Sequence, residues 1–345
     1  MYRMSSGYAS VLANTLSAQG LDVASLCREA GLDMKLANKP GAFCERRAIY
    51  RLWDLASQAS GDPDIGLKAY GNFNPGTFQI VGYTMMSSLN LKKALERLVR
   101  FSPLIGTGFS LFLLPEQQNY RLSGLDHQQS GSVKPRQYSD AGLASLLGFC
   151  RWLAGSKSPQ PLSVDFTYPE PEDTSEHRRL FGCDLHFDAA YDSIVFDGEE
   201  LQRPLSMGNE ALAVLHDSFA EAQLDLLFGF SIVGRIRALV TERLSQGQGQ
   251  CDMESIAAAL NISKRTLQRA LEKDGTQFKD VLNAVRRQLA DFYLRHSHFN
   301  MKHVAYLLGF HDHSSFNKAC NRWFDMTPGQ YRADESFEMK VAAPV

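Results

Sequence analysis

Between Met253 and Trp323 one helix-turn-helix pattern is written twice, and this duplication constrains the fold more than anything else in the 345-residue chain. The first copy runs Ser255-Ile256-Ala257-Ala258-Ala259-Leu260-Asn261-Ile262-Ser263-Lys264-Arg265-Thr266-Leu267-Gln268-Arg269. The second runs His303-Val304-Ala305-Tyr306-Leu307-Leu308-Gly309-Phe310-His311-Asp312-His313-Ser314-Ser315-Phe316-Asn317-Lys318. Ile256 aligns with Val304, Leu260 with Leu308, Ile262 with Phe310 and Leu267 with Phe316, at offsets of 48 and then 49 residues, so the second turn is one residue longer. Two copies are too few for a solenoid. They suit two matched units that meet one double helix.

Each copy has the same physical plan. Ile256, Ala257 and Leu260 recur at helical spacing, and the small Ala lets a second helix approach closely. Asn261 and Gly309 stand where the first helix must stop, and both residue types tolerate a left-handed backbone. Ser263 and Asp312 are placed to cap the second helix. Leu267, Ala270 and Leu271 point inward on one second helix; Phe316, Ala319, Cys320 and Trp323 do so on the other. Lys264, Arg265, Gln268 and Arg269 remain on the outer face of the first, and His313, Ser314, Asn317, Lys318, Asn321 and Arg322 on that of the second. Such side chains bond phosphates and the base edges of a major groove. Solvated faces of ordinary helical hairpins would account for one copy, but not for the same order of apolar, small and basic positions twice over.

The stretch from about Phe230 to Arg332 resembles the AraC/XylS family of bacterial transcription regulators. The resemblance rests on Leu267-Gln268-Arg269, on Arg286 with Ala290 and Leu294, on Leu308-Gly309-Phe310, Ser315-Phe316 and Arg322-Trp323, and on Thr327-Pro328 with Tyr331-Arg332. Cys320 stands where the family pattern has Phe, Asn321 where it has Lys, and Asp325 where it has Gly. The resemblance implies double-stranded promoter or operator DNA and RNA polymerase as partners, a cytoplasmic bacterial activator, and no enzymatic role.

Charge distribution agrees with a nucleic-acid partner once the chain is divided. The whole is nearly neutral, at −2, but residues 231–333 hold fifteen Lys and Arg against nine Asp and Glu, leaving −8 on the remainder. A basic third on an acidic body is the asymmetry of a DNA reader attached to another module. The six cysteines are scattered without zinc spacing, which fits a reducing compartment. No apolar run is long enough for a membrane span or signal peptide.

Upstream, helical patterns are expected over Tyr8–Gln19, from Asp22 to Gly31 and over Arg46–Ser60, where Trp53 reads as core. Asn38-Lys39-Pro40-Gly41 reads as a turn. Asn74-Pro75-Gly76 opens a helix through Met86, and Asn90 caps another with Leu91, Leu95, Leu98 and Val99 inward and Lys92, Lys93, Glu96 and Arg97 outward. The period then changes: Gly108–Leu114 and Tyr120–Leu122 read as paired strands. Pro135–Ala154 returns to helix, Leu162–Phe166 alternates as a strand, and Asp184–Phe196 suggests one or two more. Tyr83, Ser88, Leu91, Ala94-Leu95 and Arg100, with Phe181-Gly182-Cys183, Phe187, Leu201 and Pro204-Leu205, resemble the amino-terminal domain of regulators related to the ornithine-utilisation regulator. That resemblance implies an effector-sensing or dimerising module.

The expected organisation is an α+β effector-sensing or dimerisation domain over 1–205, a linker helix over 206–229, an all-α domain of two helix-turn-helix units over 230–333, and a flexible tail over 334–345. Gln246–Gln250 reads as a flexible connector. Phe278–His296 reads as one helix about 27 Å long, suited to holding two readers near one DNA turn, roughly 34 Å, apart. His296, His298, His303, His311 and His313 sit on separate segments, so neither a metal site nor a cofactor is expected. Arg136, Tyr138 and Asp140 could anchor a polar ligand or simply start a helix. The ligand residues stay open, as do three modes of action: a regulator modulated by a metabolite, a ligand-independent homodimer, and an enzyme domain tethered to DNA.

Overall fold

The change of period after Phe101 marks the sheet of the amino-terminal half. A computed structural model describes residues 2–33, 39, 41–72, 75–126, 133–155, 158–227, 232–245, 251–296 and 299–334. The chain divides into two units, Met1–Leu227 and Phe228–Val345. In the first, strands β1 (Arg3–Ser5) and β2 (Phe43–Glu45) pair antiparallel. A second sheet takes β3 (Phe109–Glu116), β4 (Asn119–Asp126), β5 (Pro161–Asp165), β6 (Asp184–His186) and β7 (Asp192–Phe196) in the order β3-β4-β7-β5-β6. All neighbours are antiparallel except β5 and β6.

Local signals place most helices. Asp22 caps α2 (Val23–Ala30), which follows α1 (Ser6–Ala18), and Gly31 ends it left-handed at φ 80°. In α3 (Arg46–Ser60) Trp53 is buried and Gly61 is the left-handed stop. The helix expected from Asn74 is broken: a 3-10 turn over Pro75–Phe78 precedes α4 (Gln79–Met86), and Gln79 takes φ 51° at the junction. Asn90 Oδ1 accepts from Lys93 N at 2.9 Å and starts α5 (Leu91–Phe101). Arg97, expected outward, is drawn into an ion pair with Asp217 at 2.9 Å.

The long helix α6 (Arg136–Ala154) packs against a 3-10 turn over Ile65–Gly71 and against β7. A Cβ on Gly66 would lie 2.4 Å from the carbonyl oxygen of Gln137, so only glycine permits that approach. Short helices α7 (Ser175–Phe181) and α8 (Gly198–Gln202) follow. The helix expected as a linker is α9 (Glu210–Leu227); it lies within the first unit, burying Ala213, Ala220 and Leu224 and packing on α4 and α5.

The second unit is all helical among its described residues. Helix α10 (Ile232–Ser245) buries Ile236, Val240 and Leu244 and packs on the long helix α13 (Phe278–His296). Helices α11 (Met253–Ala259) and α12 (Lys264–Lys273) pack on each other and on α10, while α14 (Met301–Leu307), α15 (His313–Phe324) and α16 (Pro328–Ala333) pack on α13. The connector at 246–250, the turn residues Asn38 and Pro40 and the tail beyond Asp334 lie outside the described residues.

Candidate nucleic-acid interface and an apolar cavity

The duplicated sequence produces duplicated hydrogen bonds. Asn261 and Gly309 take φ 53° and 69°. Beyond each, a backbone N–H turns back onto the preceding helix: Ile262 donates to Ala257 O at 3.0 Å and Phe310 to Ala305 O at 2.9 Å. This closure uses carbonyls that a helix end would otherwise leave unpaired. Ser263 Oγ accepts from Thr266 N at 3.1 Å, and Asp312 Oδ1 accepts from Ser315 N at 2.7 Å. The Ser315 hydroxyl, donating at 2.7 Å, and the Ser315 amide hold the Asp312 carboxyl below its ordinary range. Turn and cap together fix how α12 and α15 leave the unit.

On α12, Leu267 and Leu271 are buried while Lys264, Arg265, Gln268 and Arg269 are exposed. Gln268 Nε2 donates to Glu272 Oε1 at 3.1 Å, and Lys264 lies 3.9 Å from Glu254. Arg265 and Arg269 have no ion pair or hydrogen-bond partner for their side chains among the described residues. On α15, Phe316, Ala319 and Cys320 are buried, and Ser314, Lys318, Asn321 and Arg322 are exposed. His313 and Asn317 are half-buried. They lie one turn apart beside the Phe316 stripe rather than opposite it, with Asn317 Nδ2 at 3.4 Å from His313 Nδ1 and Asn317 Oδ1 buried without a partner among the described residues. Asn317, expected on the outer face, thus lies half-buried at its edge.

Several motif residues brace the two helix-turn-helix units. The Arg286 guanidinium donates to Leu308 O at 2.8 Å and Gly309 O at 2.7 Å, and lies 4.6 Å from the Phe310 ring centre. It thereby fills the carbonyl end of α14 from the middle of α13. Arg332 donates to Leu294 O at 3.0 Å, Arg295 pairs with Asp291 at 2.9 Å, and the Tyr331 hydroxyl bonds the same Asp291 carboxylate. Thr327 and Gln330 complete a capping box with Pro328 at the first helical position.

The first unit contains a cavity of about 170 Å³ that the sequence reading missed. One wall is a face of the sheet carrying Phe109, Leu111, Leu122, Gly124, Asp126 and Asp192. The other is α6, whose lining residues Tyr138, Ser139, Gly142, Leu143, Leu146 and Phe149 form one helical stripe. Nothing lies within 4 Å of where a Cβ on Gly142 would sit. Polar groups gather at one end. Asp192 accepts from Lys134 Nζ at 2.7 Å, Ser139 Oγ at 2.6 Å, Thr167 N at 2.9 Å and Thr167 Oγ1 at 3.0 Å. Burial opposes the charge on Asp192, but the Lys134 ammonium and these hydrogen bonds hold its carboxyl below the ordinary value. Asp126 pairs with the buried Arg46 and accepts from Tyr50 Oη at 2.6 Å. The sequence signals were glycines inside a helix and a strand, positions where a backbone can approach another group closely.

Arg136 and Asp140 both meet Tyr168, the first over its ring at 5.8 Å and the second at its hydroxyl, while Tyr138 faces elsewhere. Arg136 Nη2 bonds Asp64 Oδ1 at 2.6 Å, and the Tyr138 hydroxyl points to Met4 Sδ at 3.7 Å. Asp140 is wholly buried beside His177 Nε2 at 3.3 Å and bonds the Tyr168 hydroxyl; burial pushes its carboxyl upward. Of the histidines singled out, His298 and the side chain of His296 are outside the described residues, His303 packs on the Phe299 ring at 4.6 Å, and His311 is exposed. Among the described residues no group of three His, Cys, Asp or Glu is arranged for a metal ion.

Known proteins add to this geometry. A family model described as the arabinose-binding domain of AraC transcription regulator matches residues 20–205, and one for a helix-turn-helix domain matches residues 256–334. The ornithine utilization regulator of Pseudomonas aeruginosa is 27% identical over 327 residues, covering 94% of this chain and 95% of its own. The HTH-type transcriptional regulator VirS of Mycobacterium tuberculosis is 25% identical over 319 residues, covering 91% and 92%. The crystal structure of the transcriptional regulator CdpR from Pseudomonas aeruginosa aligns with a TM-score of 0.49 at 18% identity, covering 95% of this chain and 98% of that one.

Proposed function

The chain belongs to the AraC family of transcription regulators, and from that premise we propose that it is an activator that reads a promoter with α12 and α15, contacts RNA polymerase and answers to a small molecule held in its first unit. The observation that carries the reading is the pair of equally capped helices with exposed cationic and amide side chains. Lys264, Arg265, Gln268 and Arg269 on α12 meet one stretch of major groove. Ser314, Lys318, Asn321 and Arg322 on α15 meet the next, with His313 and Asn317 at its flank. Arg and Lys favour guanine edges or phosphates, and Gln and Asn favour adenine. A bound effector acts by having unequal affinity for the arrangements that can and cannot engage DNA.

The working form is a homodimer. Along α9, Leu212, Leu215, Phe219, Ala222 and Leu226 are exposed at alternating steps of three and four residues. That spacing is the seam of a two-helix coiled coil, for which a second copy of α9 supplies the matching stripe. The functional reading is tested by mapping the bound promoter and measuring transcription from it with purified RNA polymerase. Transcript should rise on adding the protein; a fall, or no change with the promoter occupied, contradicts the activator role.

A further inference from the structure

The cavity in the first unit has a composition that selects its occupant. Its body is walled by carbon: Leu111 and Leu122 from the sheet, Leu98 from α5, and Leu143, Leu146 and Phe149 from α6. Two glycines, Gly124 on the sheet and Gly142 at the centre of the helical stripe, stand where side chains would otherwise fill it. An engineered apolar cavity of roughly 150 Å³ takes up benzene and stays free of water, so a space of about 170 Å³ suits a body of six to ten carbons in order of magnitude.

The polar end does not welcome charge. Asp192 already accepts four hydrogen bonds, and Asp126 is matched by Arg46 and Tyr50. Lys134 is matched by Asp192 and Thr167, which leaves one of its three ammonium hydrogens. An anion would meet Asp126 and Asp192; a cation would meet Lys134, with Arg46 behind it. A sugar would bury several hydroxyls against carbon, and each unpaired one is costly. An amino acid such as ornithine would bring charges that find no unmatched partner. Resting on the reading of the first unit as an effector domain, we propose that this cavity binds an uncharged, mainly apolar small molecule with one hydrogen-bond acceptor directed at Lys134.

The test measures binding of 1-octanol, octanoate, octylammonium, arabinose and ornithine to the full chain by calorimetry. Gly142→Leu and Gly142→Ala are measured beside it, each checked for cooperative unfolding. Octanol should bind at least tenfold more tightly than either charged eight-carbon probe, with no heat from arabinose or ornithine. Gly142→Leu should abolish octanol binding, and Gly142→Ala, which intrudes by one methyl, should weaken it. Octanol binding that is equal in Gly142→Leu and in the wild-type chain would place it elsewhere and overturn the proposal, as would the absence of octanol binding. Arabinose or ornithine binding that Gly142→Leu removes would also overturn it, while leaving an effector domain in place. Octanol held in the cavity without changing DNA affinity would uphold the ligand class and defeat only the effector role.

Discussion

Asp325 ends α15 in a left-handed conformation, φ 56°, its amide donating to Asn321 O at 2.9 Å. A side chain is strained there, and a carboxylate at the negative end of a helix adds repulsion. Asp325→Gly should therefore stabilise the second unit by up to about 1 kcal/mol, read as a higher unfolding midpoint; a lower one would mean that Asp325 makes a contact which offsets the strain. On α12 the cost falls on binding instead. Replacing Arg265 or Gln268 by Ala should weaken binding by about 1–3 kcal/mol and relax base preference in one half of the site. Equal loss on every sequence would assign these side chains to phosphates. Glu272 takes one of the two amide hydrogens of Gln268, which leaves the second N–H and Oε1 for a base edge.

At the scale of elements, what could be read in the sequence was what neighbouring residues decide. Asp22, Asn90, Ser263, Asp312 and Thr327 cap the helices they precede, because a side-chain oxygen and the amide it satisfies are only three residues apart. The rest depends on distant partners. Nothing local foretells that Gln79 breaks its helix at φ 51°, or that Arg97 finds Asp217 across 120 positions. The β3-β4-β7-β5-β6 order and the parallel β5–β6 pair join segments far apart in the chain. The cavity draws residues from Met4 to Asp192, so only its glycines left a trace in the sequence. Which face of α9 stays exposed is likewise set by distant partners, since α9 packs on α4 and α5. Phe219→Asp should convert a dimer to monomer in sedimentation, since a buried like-charge pair at the seam opposes association. A dimer that persists would move the interface off α9.

For the whole molecule, the division of charge favours DNA at one unit only. The net +6 of residues 231–333 sits in the unit that carries α12 and α15, while the acidic remainder belongs to other parts of the chain. A basic unit binds DNA largely through phosphate contacts that depend on salt, whereas two readers on one rod add a geometric demand. Helix α13 links the two helix-turn-helix units through the Arg286 bonds to Leu308 and Gly309 and through its packing on α10, an arrangement expected to hold them at one spacing. The most direct measurement is affinity for a mapped operator before and after insertion of about five base pairs, half a helical turn, between its two contacted segments. Affinity should fall at least tenfold, with footprinting showing one segment protected where two were protected before. Unchanged affinity with both segments still protected would contradict two readers held at fixed spacing.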